Sequence, residues 1–223
     1  MAPARGSRGD SAELGVTAML EPRIDESILR ARPPEQFGSG ASFTLSNRLV
    51  RLMWTIVWIV FARWTPGAFS PWRVFLLNSF GAKVSRLAAV ASSARIWLPS
   101  NLTLGPRSTI GPGVNCYNMA PITVGARTIV SQRSFLCAGG HDVSDPSFQL
   151  TAKPIVIGND VWIAAEAFVA PGVHVADGCV LAARACAFGD LEAWTIYRGN
   201  PAQLLKPRRV RTLRPHGSSQ NAP

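Results

Sequence analysis

The sequence predicts a mainly β protein, a parallel β-helix (a solenoid of stacked coils) preceded by a helical extension. Three observations carry that expectation. From residue 84 onward, aliphatic residues recur at every sixth position, small residues follow them, and Gly and Pro fall at matching places between them. A period of six is neither the roughly 3.6 of an α-helix nor the roughly 2 of an ordinary strand. Repetition at a fixed period marks stacked repeat architectures, in which one unit buries its face only against the next.

Residues 1–42 are rich in Ala, Arg, Gly, Pro, Ser and Glu with little hydrophobic periodicity, and are expected to be a disordered extension. A short helix over 24–31 and a linker at 38–42, GSGAS, are the features expected within it. Residues 43–81 are expected to form a helical, apolar cap. Its run LMWTIVWIVFA at 52–62 follows Arg48 and Arg51, precedes Arg63 and stops before Pro66. Those 11 residues fall short of the roughly 20 that span a bilayer as a helix. Two placements follow. The run closes the open end of the solenoid, or it lies in a membrane interface with Trp54, Trp58 and Trp64 at headgroup level, giving peripheral membrane contact. The stretch PWRVFLLNSF at 71–80 reads as a second amphipathic helix ending at Gly81.

Residues 82–205 hold the repeat. One series runs Ile157, Ile163, Val169, Val175, Leu181, Ala187, and each next residue is small except Phe188. Another runs Leu104, Ile110, Cys116, Ile122, and a third Val124, Val130, Leu136. The two-residue step from Ile122 to Val124 places extra residues at one corner. A triangular coil fits: each side is a short strand with one inward aliphatic, and residues 84–187 give roughly six coils. Gly105, Gly111, Pro112, Gly113, Gly125, Gly158, Pro171, Gly172 and Gly178 fall at the corners. Residues 206–223 are expected to be a basic, disordered tail, with KPRRVRTLR at 206–214 free of acidic residues.

Hydrophobic residues make up 47% of the 223, enough for a sizeable core, and charged residues only 16%, which suits a solenoid that hides faces in an oligomer or a protein with a membrane-facing part. The net charge of +10 invites a nucleic-acid reading, but no groove-reading motif or aromatic platform stands beside the basic residues. Nucleic acid is therefore excluded as a partner. Cys116, Cys137, Cys179 and Cys186 lie in apolar stretches without a CxxC pair, so they read as buried, reduced residues in a reducing compartment. With no signal peptide at the start, the expected location is cytoplasmic, at the inner face of the cytoplasmic membrane where the apolar run meets lipid.

The repeats resemble those of the hexapeptide-repeat acyltransferases. Within that group the blocks FTLSNRLVRLMW, FGAKV, ARIWLPSNLTLG, IGPGVNCYNMAPITVG, GGHDVSDP, KPIVIGNDVWIAAEAFVAPGV and RGNPAQLLK, together covering about 43–208, are similar to the maltose, galactoside and nodulation-factor O-acetyltransferases, and most of all to the colanic acid biosynthesis acetyltransferases. The resemblance implies a left-handed β-helix, acetyl-CoA as co-substrate and a homotrimer with the cofactor groove between subunits. It implies a saccharide or lipid-linked saccharide acceptor in exopolysaccharide synthesis. The chain departs from the family pattern at Ala164, Ala170 and Ala182 where corner glycines are usual, at Ala126 and Arg127, and over AARACAFG at 182–189.

Acetyl transfer to a hydroxyl needs a general base, and histidine's ordinary pKa suits it. His216 lies in the polar tail, and His174 lies within a repeat series beside inward Val175. His141 follows Gly139-Gly140, breaks the rhythm and opens the polar loop DVSDP, where function concentrates. The resemblance makes His141 the catalytic base. Its orienting partner is Asp142, Asp145 or a backbone carbonyl, and both aspartates serve equally as loop-capping residues or acceptor contacts. The resemblance also implies that Asn118 holds the acceptor hydroxyl, with Asn115 and Tyr117 in the acceptor pocket and backbone N–H groups near Gly139 or Gly140 facing the oxyanion. It places Trp162 beside the cofactor groove, Ala164, Ala165, Ala182 and Ala183 along the pantetheine arm, and Lys206, Arg208 and Arg209 near the phosphates. No metal constellation is expected: a carbonic-anhydrase-like zinc site needs three histidines, and His141 lacks partners at suitable spacing. A non-catalytic scaffold and an N-acetyltransferase acting on an amino sugar are the remaining alternatives.

Overall fold

The computed structural model describes residues 43–210. The expectations for 1–42 and for the tail beyond residue 210, His216 included, lie outside the described residues. Helix α1, Leu45–Phe61, begins at Thr44, whose side chain accepts from the Asn47 N–H at 3.3 Å. It ends just ahead of Pro66, which cannot continue a helix. Helix α2, Ser70–Ser79, has a proline in its first turn and ends before Gly81, whose φ of 87° is one that glycine adopts without strain.

Three parallel sheets follow, one per side of the triangle. Sheet I stacks Lys83–Val84, Leu102–Leu104, Ile122–Val124, Ile155–Ile157 and His174–Val175. Sheet II stacks Ala89–Val90, Thr109–Ile110, Ile129–Val130, Trp162–Ile163, Val180–Leu181 and Thr195–Arg198, and Gln203–Pro207 adds an antiparallel edge strand. Sheet III stacks Arg95–Ile96, Asn115–Tyr117, Phe135–Cys137, Phe168–Val169 and Cys186–Ala187. The coils number about six, the last of them partial. The predicted inward series is buried throughout, from Leu104 and Ile110 to Leu181 and Ala187, with Phe188 exposed.

The hexads also bury a second residue two positions before the inward one, small or polar at many of them: Ser108, Val114, Thr128, Ser134, Val161, Ala167, Val173, Cys179 and Ala185. The hydroxyls among these are satisfied locally, as where Thr128 donates to the Gly158 carbonyl at 2.7 Å and Ser134 to the Ala164 carbonyl at 2.8 Å. Several of the glycines after the aliphatics are required by close stacking, because they sit under the next coil. A Cβ on Gly105 would lie 2.7 Å from the Ala126 nitrogen, and one on Gly125 would lie 2.5 Å from the Gly158 carbonyl carbon. The turn itself is made two residues later, where Arg107, Arg127, Arg133, Asp160, Glu166 and Arg184 all take φ between 56° and 60°. A left-handed residue costs about 1 kcal/mol or more. It is offset by bonds from coil to coil: Arg127 N–H donates to the Pro106 carbonyl, Asp160 N–H to Ala126, and Glu166 N–H to Gln132, each at 2.9–3.0 Å. Their side chains pair in the same columns, Arg127 with Asp160 at 2.6 Å, and Glu166 with both Arg133 and Arg184.

Of the two placements foreseen for the apolar run, closing the solenoid's end falls to α2. Its Val74, Leu76 and Leu77 are buried, and it packs on the first strands of sheets I and II. Arg73 is buried with them. Its guanidinium donates to the carbonyls of Val90 at 2.7 Å and Pro66 at 2.9 Å and to the Thr65 hydroxyl at 2.7 Å. Helix α1 touches the solenoid along a narrow seam instead. Trp54 and Trp58 are its buried residues, and the Trp54 indole donates to the Ile96 carbonyl at 2.8 Å, so of the three tryptophans expected at headgroup level only Trp64 is exposed.

Candidate active site

One segment leaves the solenoid. Between sheets III and I in the third coil, Gly139–His141 pairs antiparallel with Leu150–Ala152 and forms a hairpin. Its loop is shaped by two Asx turns: Asp142 accepts from the Ser144 N–H at 2.9 Å and Asp145 from the Ser147 N–H at 2.7 Å. The loop closes through Phe148, whose φ of 48° is strained for a large side chain. The Phe148 carbonyl lies 2.7 Å from His141 Nδ1. A carbonyl only accepts, so in the neutral imidazole Nδ1 carries the proton and Nε2 holds the lone pair. Of the three orienting partners foreseen, the backbone carbonyl makes the contact, and both aspartates cap the loop. The imidazole is exposed.

Tyr117 sits under the root of the hairpin. A Cβ on Gly139 would lie 2.9 Å from its ring, so the glycine permits that approach. Burial, and then the nearby Cys137 thiol, push the Tyr117 phenol above its ordinary pKa. Asn115, two residues earlier on the same outer face of sheet III, lines a groove of about 400 Å³ with Trp58, Ile59, Arg63, Arg95 and Trp97 where α1 meets the sheet. Asn118 departs from the expectation. It is fully buried, its carbonyl oxygen accepts from the N–H groups of Trp97 at 3.0 Å and Leu98 at 3.1 Å, and its amide donates to the Leu98 carbonyl at 2.6 Å. An acceptor hydroxyl does not reach it; its work is to brace the turn of the coil below.

The cofactor candidates divide between two corners. Trp162 is half-exposed on the outer face of sheet II, with its indole donating to the Ser131 hydroxyl at 2.9 Å. Ala164 and Ala165, and Ala182 and Ala183 one coil on, form the corner from sheet II to sheet III. Lys206 lies exposed on the edge strand of sheet II opposite Ile196. Arg208 turns back to the other corner, from sheet I to sheet II. It donates to the Asp160 carbonyl at 2.6 Å and the Gly178 carbonyl at 2.8 Å, with its guanidinium 5.7 Å from the Trp194 ring centre. A ligand touching both Arg208 and the alanine corner therefore runs the width of sheet II. His141 and the alanine corner flank sheet III from opposite sides. Sequence reasoning missed Phe148, because nothing in its residue type announces a left-handed backbone. Among the described residues no group of three or more His, Cys, Asp or Glu could hold a metal ion.

No family model matches the chain. A candidate colanic acid biosynthesis acetyltransferase of Escherichia coli K12, WcaF, is 43% identical over 159 residues, 71% of this chain and 87% of that protein. A hexapeptide-repeat acetyltransferase of Vibrio cholerae, solved in complex with acetyl coenzyme A, superposes with a TM-score of 0.67 at 21% identity, covering 75% of this chain and 91% of that one. A maltose O-acetyltransferase of Clostridium difficile 630 gives a TM-score of 0.66 at 18% identity, covering 75% and 90%. The two solved structures share the fold, and the E. coli relative settles the family: the chain belongs to the colanic acid biosynthesis acetyltransferase family typified by WcaF, and is an acyltransferase.

Proposed function

We propose that this acetyltransferase moves an acetyl group from acetyl-CoA to a sugar hydroxyl during bacterial surface-polysaccharide or exopolysaccharide synthesis, with His141 as general base. The observation that carries the proposal is the 2.7 Å contact from His141 Nδ1 to the Phe148 carbonyl, which leaves Nε2 as the basic atom of an exposed imidazole. Nε2 takes the hydroxyl proton as the oxygen attacks the thioester carbonyl. The tetrahedral intermediate collapses, the carbon–sulfur bond breaks, and the imidazolium returns the proton to the departing thiolate, giving free CoA and the acetyl ester. Direct transfer needs neither a metal nor an acyl-enzyme.

Asn115 and Tyr117 supply the acceptor side of the pocket, Asp142 and Asp145 hold the loop that carries the base, and Asn118 positions the coil beneath. The acyl donor lies along Trp162 and the alanine corner, with Lys206 toward its phosphates. A side of the triangle is about six residues, or about 20 Å, at strand rise. One protomer's His141 and its own alanine corner are thus too far apart to meet one thioester, which supports a homotrimer whose groove joins the two from neighbouring copies. Burial pushes the thiols of Cys116 and Cys179 up to about 12 and about 11, which makes both poor nucleophiles, while Cys137 and Cys186 are half-buried where all four were expected to be buried.

The test is CoA release from acetyl-CoA with a panel of saccharides and lipid-linked saccharides, comparing wild type with His141→Ala. Turnover is expected to fall about 10²- to 10⁴-fold while acetyl-CoA binding is kept. Equal turnover in both would remove His141 from the chemistry.

A further inference from the structure

Among the described residues, exposed large apolar side chains concentrate on the outer side of α1. Leu49, Leu52, Met53, Ile56, Ile59 and Val60 are each 46–57% exposed. At about 100° per residue they occupy a continuous arc of about 120° along a helix about 25 Å long. Val50 and Phe61 widen the arc, and Trp64, Phe69 and Phe75 extend it past the end of α1 onto α2. A contiguous apolar patch of this kind marks an interaction surface. Among the described residues no helix is long and apolar enough to cross a membrane.

Charge says what covers it. From residue 36 to residue 141 the chain has no Asp or Glu. Arg48, Arg63, Lys83, Arg86 and Arg95 are all exposed on α1, just beyond it or on the first coil. Arg63 and Arg95 share the groove of about 400 Å³ with Trp58, Ile59 and Trp97. A second copy docked by symmetry on this end would set arginine against arginine, with no carboxylate between residues 43 and 141 of the described chain to relieve them. An anionic lipid surface supplies what both features need: acyl chains for the arc and phosphates for the cations.

We propose that α1 is a monotopic membrane anchor that lies in the plane of an anionic bilayer, its outer arc among the acyl chains and Arg63 and Arg95 on lipid phosphates. This stands apart from the chemistry of His141, and its test reads no turnover. The full-length protein is floated with vesicles of phosphatidylglycerol and phosphatidylcholine, and with vesicles of phosphatidylcholine alone. Binding to the anionic vesicles is expected, weaker by at least tenfold on the neutral ones. The Ile56→Gln/Val60→Gln double variant is expected to lose at least tenfold in vesicle affinity with its thermal midpoint unchanged, and Arg63→Gln about fivefold. Three results would overturn the proposal: wild type that stays unbound, a double variant that binds as wild type does, or a double variant whose assembly shrinks in sedimentation while its vesicle binding is unchanged. The last would make the arc a contact between copies.

Discussion

Helix α1 is the longer and more apolar of the two helices at the closed end of the solenoid, yet it buries two residues along 17, whereas α2 buries four along 10. The difference lies in what each faces. α2 meets the open end of a triangular core, so one side of a short helix suffices, and even its arginine is drawn in to satisfy main-chain carbonyls. α1 meets the outer edge of sheet III through Trp54 and Trp58, with Val57 packed beside them and the Arg51 guanidinium 4.3 Å from the Trp97 ring centre, and it leaves the opposite arc of its circumference exposed. Apolarity alone therefore does not identify a core element. The run that looks most like core in the sequence is the one the fold leaves outside.

Substitution is the direct way to break that contrast. Leu77 is fully buried in α2, and Leu77→Ala is expected to cost about 2–5 kcal/mol in denaturant unfolding of the whole chain. A loss below about 1 kcal/mol would show that α2 does not close the core. Leu52→Gln on α1 is expected to change the same measurement by no more than about 0.5 kcal/mol, because the side chain is exposed already. A larger loss would mean that the arc is packed in the free protein. Acid titration gives the smallest effect and sharpens the comparison along the chain. The Arg127 guanidinium holds the Asp160 carboxyl below its ordinary pKa, and Arg184 and then Arg133 do the same for Glu166. Folded values below unfolded ones mean that this stability is fully present above the unfolded carboxylate range of about 4 and disappears as pH falls through the depressed values. These pairs are exposed and solvent-screened, so the change is slight. Glu166→Gln should flatten that acid limb of a melting-temperature profile; an unchanged limb would show that the corner column adds nothing.

The solenoid was legible in the sequence because its inward aliphatics contrast with their neighbours at a constant step. The second inward position was not. Ser108, Thr128 and Ser134 are small and polar, and only the fold shows that each hydroxyl finds a carbonyl. The turn residues were hidden for a related reason. Arg107, Arg127 and Arg133 carry no sign of a left-handed backbone, since the bonds that hold them there come from adjacent coils. At the candidate site, the break in rhythm singled out His141, but the atom that fixes its tautomer belongs to Phe148, seven residues away across a hairpin. Asn118 looked available for the opposite reason. Its partners at Trp97 and Leu98 are 21 and 20 residues distant, one coil back, and a linear reading does not bring them together.

The regular stacking of sheet III makes it a ruler. Arg95, at the groove beside α1, stands in register with Asn115, and Asn115 with Phe135, whose strand runs on toward the hairpin of His141. Two coil spacings separate the first of these from the last, about 10 Å at the usual distance between strands. A lipid phosphate held at Arg95 would fix the origin of that scale, and the imidazole would work at a set height above the bilayer surface. Were the acceptor lipid-linked, only the part of it that rises beyond its anchoring phosphate would reach such a height, and the solenoid would select the position of a hydroxyl by its distance from the membrane as well as by its shape.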